Sequence, residues 1–259
     1  MYDHAYLNGS TFLLAIWFVL YVLWPEQRRG MLRVSLLLGL TGPIGEYWAL
    51  PDYWRPQFVV AFRVGRWQFG PEDYLFMFAV AGICVALFER SARRAGFGEL
   101  PRVGFATLAR IVGWTGLGLA LMFAMSAWPR WRAIQVILAA TVITAMLMLG
   151  RRPRLAMLAL LLAAPVGLAY WLCCVLLGRA YPGVFEAVWN LERTCGLLWL
   201  GVPVEEFFWA TAAMLFIGPL VRACSGRSAC EPTRRRVATR RDAPSRNAPR
   251  PSAPADPRC

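Results

Sequence analysis

The sequence contains no lysine and a single histidine, His4, so its 28 basic residues are all arginine. Without a lysine, the chain cannot form the Schiff base that an ordinary retinal protein needs. Its seven cysteines form no CxxC pair, and one histidine is too few for a recognised zinc or haem site. An aspartate-rich diphosphate motif and a GxGxxG fingerprint are also missing. We therefore expect no metal and no cofactor, and neither a polyprenyl transferase nor a flavin-dependent enzyme.

Apolar residues make up 58% of the 259 residues, and the mean hydropathy is +0.46. A soluble domain does not need so much apolar surface, so the composition predicts a polytopic membrane protein. We predict an all-α fold with about seven transmembrane helices, most of them near the roughly 20 residues that a bilayer crossing requires. The predicted spans cover residues 7–24, 31–50, 71–88, 104–128, 131–150, 155–178 and 197–221.

The net charge of +13 comes from arginines in short loops and in the C-terminal segment. This distribution is typical of a membrane topology signal rather than of a nucleic-acid surface, so we expect no nucleic-acid partner. Arginine clusters at residues 28–33, 90–102 and 151–154, and in the tail, alternate with arginine-poor loops. The bias predicts an N-terminus outside and a C-terminus in the cytoplasm, with the protein in the cell (inner) membrane as a multi-pass protein.

An internal repeat is visible in the sequence. Residues 28–48 and 151–171 each contain an arginine pair, an apolar stretch, Pro-x-Gly and an aromatic pair ending in Trp. Farther along, residues 70–78 resemble residues 202–210, since both contain proline, two acids and aromatic residues. Aligning the acids pairs Glu72 with Glu205, whereas aligning the prolines shifts the register by one. Both registers stay open at this point.

The repeat predicts four segments. Residues 1–103 form a first three-span unit, 104–130 a linking transmembrane helix, 131–222 a second three-span unit, and 223–259 a disordered basic tail. Because the linking helix adds one crossing, both units run the same way through the membrane, related by an axis along the membrane normal. The two acid motifs should then lie at similar depth, in the outer half of the membrane.

Two adjacent acids, Glu205 and Glu206, interrupt an apolar run that is long enough to cross a bilayer. A charged carboxylate at that depth costs roughly 2.5–3.5 kcal/mol on insertion scales. In one interpretation, Pro203 begins the helix and the acids lie near the headgroups as partners of the helix dipole. In the other, an apolar pocket keeps a carboxylic acid neutral, so that it can donate a proton. The recurrence of the motif favours the second interpretation.

Each acid motif places an acid on the same helix face as aromatic residues three or four positions later. Glu205 shares a face with Phe208 and Trp209, and Glu72 shares one with Phe76. This combination suits the protonation of a carbon–carbon double bond, because ring faces and a second carboxylate can stabilise the resulting cation. The expected substrate is an apolar polyene dissolved in the bilayer.

The motifs PVEEFFW at residues 203–209, PEDYLF at 71–76 and GPIGEYW at 42–48, together with the tandem repeat, resemble a known family. They are similar to the heterodimer-type lycopene cyclases of bacteria and archaea and to the cyclase domain of fungal bifunctional enzymes. The two units are separate subunits in many bacteria and look fused here. The resemblance covers residues 7–221. It implies an isomerase of carotenoid biosynthesis, a lycopene β-cyclase that converts ψ-ends to β-rings without net redox change.

The resemblance also implies partners and site residues. The implied partners are lycopene and membrane lipid. Whether other carotenoid-pathway enzymes are also partners stays open. The acid near the end of the second span corresponds to Glu46, which has Leu168 or Ala169 at the matching position of the second unit. The first motif reads Pro-Glu-Asp, a departure from the family's Pro-x-Glu-Glu. The expected catalytic residues are Glu46, Glu72, Asp73, Glu205 and Glu206. The expected substrate-binding residues are Tyr47, Trp48, Phe76, Tyr170, Trp171, Phe208 and Trp209.

Our hypothesis from the sequence is that Glu205 protonates the terminal double bond and that a second carboxylate removes the ring proton. Two other functions stay open. A related cyclase could form ε- or γ-rings or act on a longer carotenoid. A proton-coupled transporter would also suit parallel repeats with intramembrane acids. The aromatic partner of each acid and the scarcity of polar residues favour the cyclase.

Overall fold

The computed structural model describes Tyr2 and residues 4–99, 103–128 and 130–225. The described chain is mostly helical, as predicted. Two short β-hairpins, β1 with β2 and β3 with β4, are added to the predicted all-α fold. The strands are β1 (Phe62–Val64), β2 (Trp67–Phe69), β3 (Leu198–Trp199) and β4 (Val202–Pro203). The α-helices are α1 (Ala5–Leu23), α2 (Arg28–Gly39), α3 (Thr41–Ala49), α4 (Pro71–Arg94), α5 (Phe105–Ser126), α6 (Ala133–Leu149), α7 (Pro153–Ala180), α8 (Val184–Val188), α9 (Val204–Ile217) and α10 (Leu220–Cys224).

Among the described residues, five helical segments are long and apolar enough to cross a membrane: α1, α4, α5, α7 and the stretch Val204–Cys224. These segments coincide with five of the seven predicted spans and support a membrane protein. Helix α6 is apolar but has only 17 residues, and the predicted second span is divided into α2 and α3. Seven crossings therefore remain a prediction.

The break between α2 and α3 has a local cause. Pro43 has no backbone N–H, and its ring would clash with the carbonyl of Gly39 in a continuous helix. The hydroxyl of Thr41 donates to the carbonyl of Leu38 at 2.6 Å and so adds a local bond at this break. Helix α3 begins at Thr41 and carries Glu46.

The two helices that carry the acid motifs occupy the centre of the molecule. Helix α4 packs along α1 and α2, helix α9 packs along α6 and α7, and α4 and α9 touch each other. Each of them begins directly after a β-hairpin. The β3–β4 turn is tight because Leu200 and Gly201 both have positive φ, at 50° and 80°. Helix α5 packs on α6 and α10.

Small residues allow close packing around α4. A Cβ atom on Gly82 would lie 2.0 Å from Nε1 of Trp17, so only glycine leaves room for this indole. Trp17 is buried there, and its Nε1–H donates to the hydroxyl of Ser35 at 2.9 Å. One glycine therefore lets α1, α2 and α4 meet through a satisfied polar contact.

A buried ion pair joins α10 to the C-terminal part of α4. Nη2 of Arg222 lies 2.7 Å from Oε2 of Glu89, and both side chains are fully buried. Arg222 also donates to the carbonyl of Gly98 at 2.9 Å. Glu89 is 17 residues after Glu72, or about 25 Å along the helix, so the pair lies far from the acid motifs. Ala223 and Cys224, the start of the predicted tail, belong to α10, and residues 226–259 lie outside the described residues.

We expect Glu89→Gln to destabilise the protein by about 3–5 kcal/mol, because it removes the carboxylate charge that is paired with the buried Arg222 guanidinium. Thermal unfolding in detergent measures the effect. The control is Glu26→Gln, since Glu26 makes partly exposed pairs with Arg90 and Arg93 at 3.8 and 3.6 Å. That loss should cost at most about 1 kcal/mol. Equal melting temperatures for the two variants would contradict the structural role of the buried pair.

Candidate active site

A cavity of about 460 Å³ lies between the N-terminal part of α4 and one side of α9, with further walls from α1, α3, α5, α6 and α7. Its volume is in the range of small-molecule binding sites, roughly 300–1,000 Å³. Among the described residues, the charged side chains on its wall are three carboxylates, Glu46, Asp73 and Glu206. Most of the remaining wall is apolar or aromatic. Three acids therefore face one apolar space.

Glu206 accepts three hydrogen bonds from three different segments. The hydroxyl of Tyr53 and Nε1 of Trp189 donate to its Oε1 at 2.6 and 2.8 Å. The hydroxyl of Tyr170 donates to its Oε2 at 2.9 Å. Burial raises the pKa of the Tyr53 phenol, and the Glu206 carboxylate raises it further, so this hydroxyl stays protonated. Donors of this kind stabilise an ionised carboxylate, and Glu206 is held as an acceptor.

The other two acids of the cavity have fewer donors. Asp73 accepts from the hydroxyl of Tyr6 at 2.7 Å and from the N–H of Gly70 at 2.8 Å, where it closes the first turn of α4. Glu46 accepts from Nε1 of Trp54 at 3.0 Å through Oε2. Within the described residues, its Oε1 has no hydrogen-bond partner. Trp54, which donates to Glu46, lies 4.7 Å from the ring of Tyr6, which donates to Asp73, so the acid with a free oxygen lies near a second carboxylate.

A roof closes the cavity above the acids. The loop after α3 and the loop after α8 pair at Trp54 and Trp189 in a single antiparallel bridge. Backbone bonds flank it: Arg55 N–H donates to Val188 O at 2.7 Å, and Asn190 N–H donates to Tyr53 O at 2.9 Å. The two indole rings lie 5.4 Å apart, and each donates its N–H to a different acid. The roof therefore positions Glu46 and Glu206 relative to each other.

These roof residues were not among the residues chosen from the sequence. A usable signal was present, because Trp54 and Trp189 each lie in the loop that follows the Pro-x-Gly span of a predicted unit. Their pairing with each other joins residues more than a hundred positions apart, which the local pattern does not show.

Three aromatic residues form a cluster on the cavity wall. The ring centroids of Phe76 and Trp209 lie 5.3 Å apart, those of Tyr170 and Trp209 5.5 Å, and those of Phe76 and Tyr170 6.3 Å. All three were predicted as substrate-binding residues, and all three line the cavity. Phe76 follows Asp73 by three positions, and Trp209 follows Glu206 by three. Ring faces so placed can stabilise a cation formed in the cavity.

The first acid of each motif is buried but lies outside the cavity. Oε1 of Glu72 accepts the N–H of Val59 at 2.8 Å, and Oε1 of Glu205 accepts the N–H of Cys195 at 2.5 Å. In both, Oε2 is buried and has no partner within the described part of the chain. Adjacent residues on a helix point about 100° apart, so only the second acid of each pair faces the cavity. The contacts match in the register that pairs Glu72 with Glu205.

Four predicted substrate-binding residues do not line the cavity. Tyr47 packs under the guanidinium of Arg66, whose Cζ lies 4.2 Å from the ring centroid. The indole of Trp48 donates to Ser126 Oγ at 3.4 Å. Trp171 stacks on an aromatic residue of β3 at 4.2 Å, and Phe208 is 52% exposed on the outer surface. These four residues lie on helices that line the cavity, but their side chains point to neighbouring elements or to the outside.

Residues 131–223 match the lycopene cyclase family model. The match supports the assignment of the protein to a lycopene cyclase family. Such a family implies an enzyme of carotenoid cyclisation that acts on lycopene. It includes Tyr170, Trp189, Glu206 and Trp209 of the cavity. The acids Glu46 and Asp73 lie outside the matched segment. Comparison with curated proteins and with solved structures gave no match.

We expect Tyr53→Phe to slow cyclisation by tenfold or more, because a hydrogen bond to a charged group contributes about 1.5–3 kcal/mol. Initial rates with membrane-embedded protein measure the effect, and thermal unfolding separates it from loss of fold. The matched control is Tyr74→Phe, which removes a hydroxyl that donates to Leu36 O at 3.3 Å outside the cavity. If both variants kept the wild-type rate, Tyr53 would have no part in positioning Glu206.

Proposed function

We propose that the protein is a membrane carotenoid cyclase that converts the linear ψ-end groups of lycopene to β-rings. The observation that carries the proposal is the apolar cavity with three carboxylates and an aromatic cluster on its wall. The family match supports the same reaction class. An end group of a polyene is apolar, so burial in such a cavity is favourable, and the acids supply the only reactive groups that the reaction needs.

The first step is the protonation of the terminal carbon–carbon double bond, and we assign it to Glu46. This acid lines the cavity and receives one hydrogen bond, on Oε2. Neighbouring carboxylates in an apolar site favour a state in which one of them holds a proton, and Asp73 is the neighbour. Asp73 uses both oxygens to accept hydrogen bonds. The proton therefore belongs on Glu46, whose Oε1 is available for it.

The remaining steps follow from the cation that protonation creates. An internal double bond attacks the cationic carbon, so one carbon–carbon bond forms and the ring closes. The positive charge moves to a ring carbon, where Phe76, Trp209 and the Glu206 carboxylate can stabilise it. Loss of a proton from the adjacent ring carbon to Glu206 creates the ring double bond. One proton is added and one is lost, so the product is an isomer of the substrate and no oxidant or reductant takes part.

The role of the first acids changes in this proposal. Glu205 was the preferred donor on sequence grounds, but its side chain does not line the cavity, and its Oε1 accepts the N–H of Cys195 instead. Glu72 holds the loop at Val59 in the same way. We assign both to positioning, since they fix the segments that lead into α4 and α9.

We also propose that the two units are parallel repeats with seven crossings, in which α2 and α3 together form one crossing and α6 forms another. Packing supports this, since α4 and α9 each follow a hairpin and each pack along two preceding helices. Arginine placement supports an N-terminus outside and a C-terminus in the cytoplasm, with the protein in the cell (inner) membrane. The acids then lie in the outer half of the membrane.

In a lycopene-producing host, expression of the protein should convert lycopene to a product with one or two β-rings, because the cavity needs no added cofactor. Chromatography and mass spectrometry of the pigments measure this, and the ring type is read from the product. Purified protein in liposomes with lycopene and no nucleotide should give the same product. Untouched lycopene, with the protein present in the membrane, would favour the proton-coupled transporter.

The acid assignments predict different outcomes for four isosteric variants. Glu46→Gln and Glu206→Gln should slow cyclisation by about 10²–10⁴-fold, because each removes a proton-transfer group. Glu72→Gln and Glu205→Gln should keep most of the activity, since a glutamine oxygen can still accept the backbone N–H. Rates per amount of membrane-inserted protein give the comparison. Complete loss in Glu205→Gln alone, at normal protein level, would return the donor role to Glu205.

A further inference from the structure

The cavity opens to the outside of the protein between α1 and α7. Most residues on its wall are buried or half-buried. Among the described wall residues, four of the five exposed ones belong to these two helices. Phe12 on α1 is 48% exposed, and Leu176 on α7 is 60% exposed. A side chain that lines the cavity and is also exposed marks its opening. The exposed wall residues are Asn8, Phe12, Gln57, Leu176 and Ala180.

The opening lies within the span of both helices. Phe12 is seven residues after the first residue of α1, which is a rise of about 10 Å. Leu176 is four residues before the last residue of α7, or about 6 Å from that end. Both helices are long and apolar enough to cross a membrane. The opening therefore faces the hydrocarbon of the bilayer.

The aqueous side of the opening is closed by polar contacts. Nδ2 of Asn8 donates to the hydroxyl of Tyr181, which joins the first turns of α1 to the residue after α7. At the next residue after Tyr181, the hydroxyl of Tyr2 donates to the carbonyl of Pro182 at 2.8 Å. These two bonds cross the gap between the helices at their outer ends. A ligand can therefore enter below them, from the lipid.

The path inward from the opening is apolar and leads to the acids. Gly9 and Leu177 face each other on the cavity wall, and a Cβ atom on Gly9 would lie 3.8 Å from a methyl group of Leu177. The absence of a side chain at Gly9 keeps this passage wide. Tyr6, one helical turn before Gly9, is bonded to Asp73, and Tyr170, about two turns before Leu177, is bonded to Glu206.

We infer that the opening between α1 and α7 is the lipid-side entrance through which the linear end group of an apolar polyene reaches the acids. The rest of the polyene stays in the bilayer outside Phe12 and Leu176. Gly9, Leu176 and Leu177 then determine which end groups pass, because they line the path between the bilayer and the acids. The inference rests on the proposed cyclase function for the identity of the occupant.

Gly9→Phe tests the entrance, because the phenyl ring would fill the passage beside Leu177. We expect the rate of lycopene conversion in liposomes to fall by about tenfold or more, which corresponds to about 1.4 kcal/mol in the barrier. The control is Gly116→Phe on the exposed face of α5, where a Cβ atom has nothing within 4 Å. That variant should keep the wild-type rate. If Gly9→Phe converted lycopene at the wild-type rate, the inference of an entrance at this position would be wrong.

A second pair of variants covers the case in which Gly9→Phe does not fold. Leu176→Trp enlarges an exposed side chain at the opening, and Leu172→Trp enlarges an exposed side chain one turn away that does not line the cavity. The entrance predicts slower conversion by Leu176→Trp alone. Equal rates for the two variants would contradict it.

A readout that does not need turnover separates this inference from the proposed function. Each variant is combined with Glu46→Gln, and the lycopene that co-purifies per protein from lycopene-containing membranes is measured. Reduced lycopene in the Gly9→Phe and Leu176→Trp backgrounds supports the entrance even if wild-type protein forms no ring, which would defeat only the cyclase proposal. If both variants bind as much lycopene per protein as Glu46→Gln alone, the entrance inference is wrong. Cyclisation by the wild-type protein would still support the proposed function.

Discussion

Carboxylates inside an apolar, membrane-spanning structure are the constraint on which the rest of this fold depends. Burying a charge without hydrogen-bond donors costs too much free energy for a stable fold, so each acid needs donors from the surrounding chain. Glu206 recruits Tyr53, Tyr170 and Trp189 from three separate segments. Asp73 recruits Tyr6 from α1. The hydrogen bonds that offset the cost of burying these acids therefore also hold α1, α7 and the two outer loops around one cavity.

The same constraint explains why the acids come in adjacent pairs. At the start of each central helix, one acid turns toward the preceding loop and captures a backbone N–H, and the next acid turns into the cavity. The loop-facing acids, Glu72 and Glu205, fix the segments that lead into α4 and α9. The cavity-facing acids are Asp73 and Glu206. Positioning and chemistry are thus divided between neighbouring residues about 100° apart on one helix.

The two proposed units share a framework but differ in chemistry. Glu46 of α3 lines the cavity in the first proposed unit, and the second proposed unit has an apolar residue at the matching position of α7. At the far end, Glu89 and Arg222 stand 17 residues after Glu72 and Glu205, and they form a buried ion pair with each other. Matching positions therefore carry complementary groups. The pair joins the two units, and the single extra acid makes the cavity asymmetric.

From the sequence alone it was possible to predict the apolar helices, the proline-led acid motifs and the aromatic residues that follow the acids at helical spacing, whereas Glu46 was proposed from the family resemblance. Composition and helical spacing suffice for the helices and the motifs, because these depend on the properties of neighbouring residues. Only the tertiary structure decided which acid of each pair faces the cavity, and that Trp54 and Trp189 form its roof. Helical periodicity sets the angle between two side chains, but the direction of the cavity is set by helices far away in the chain.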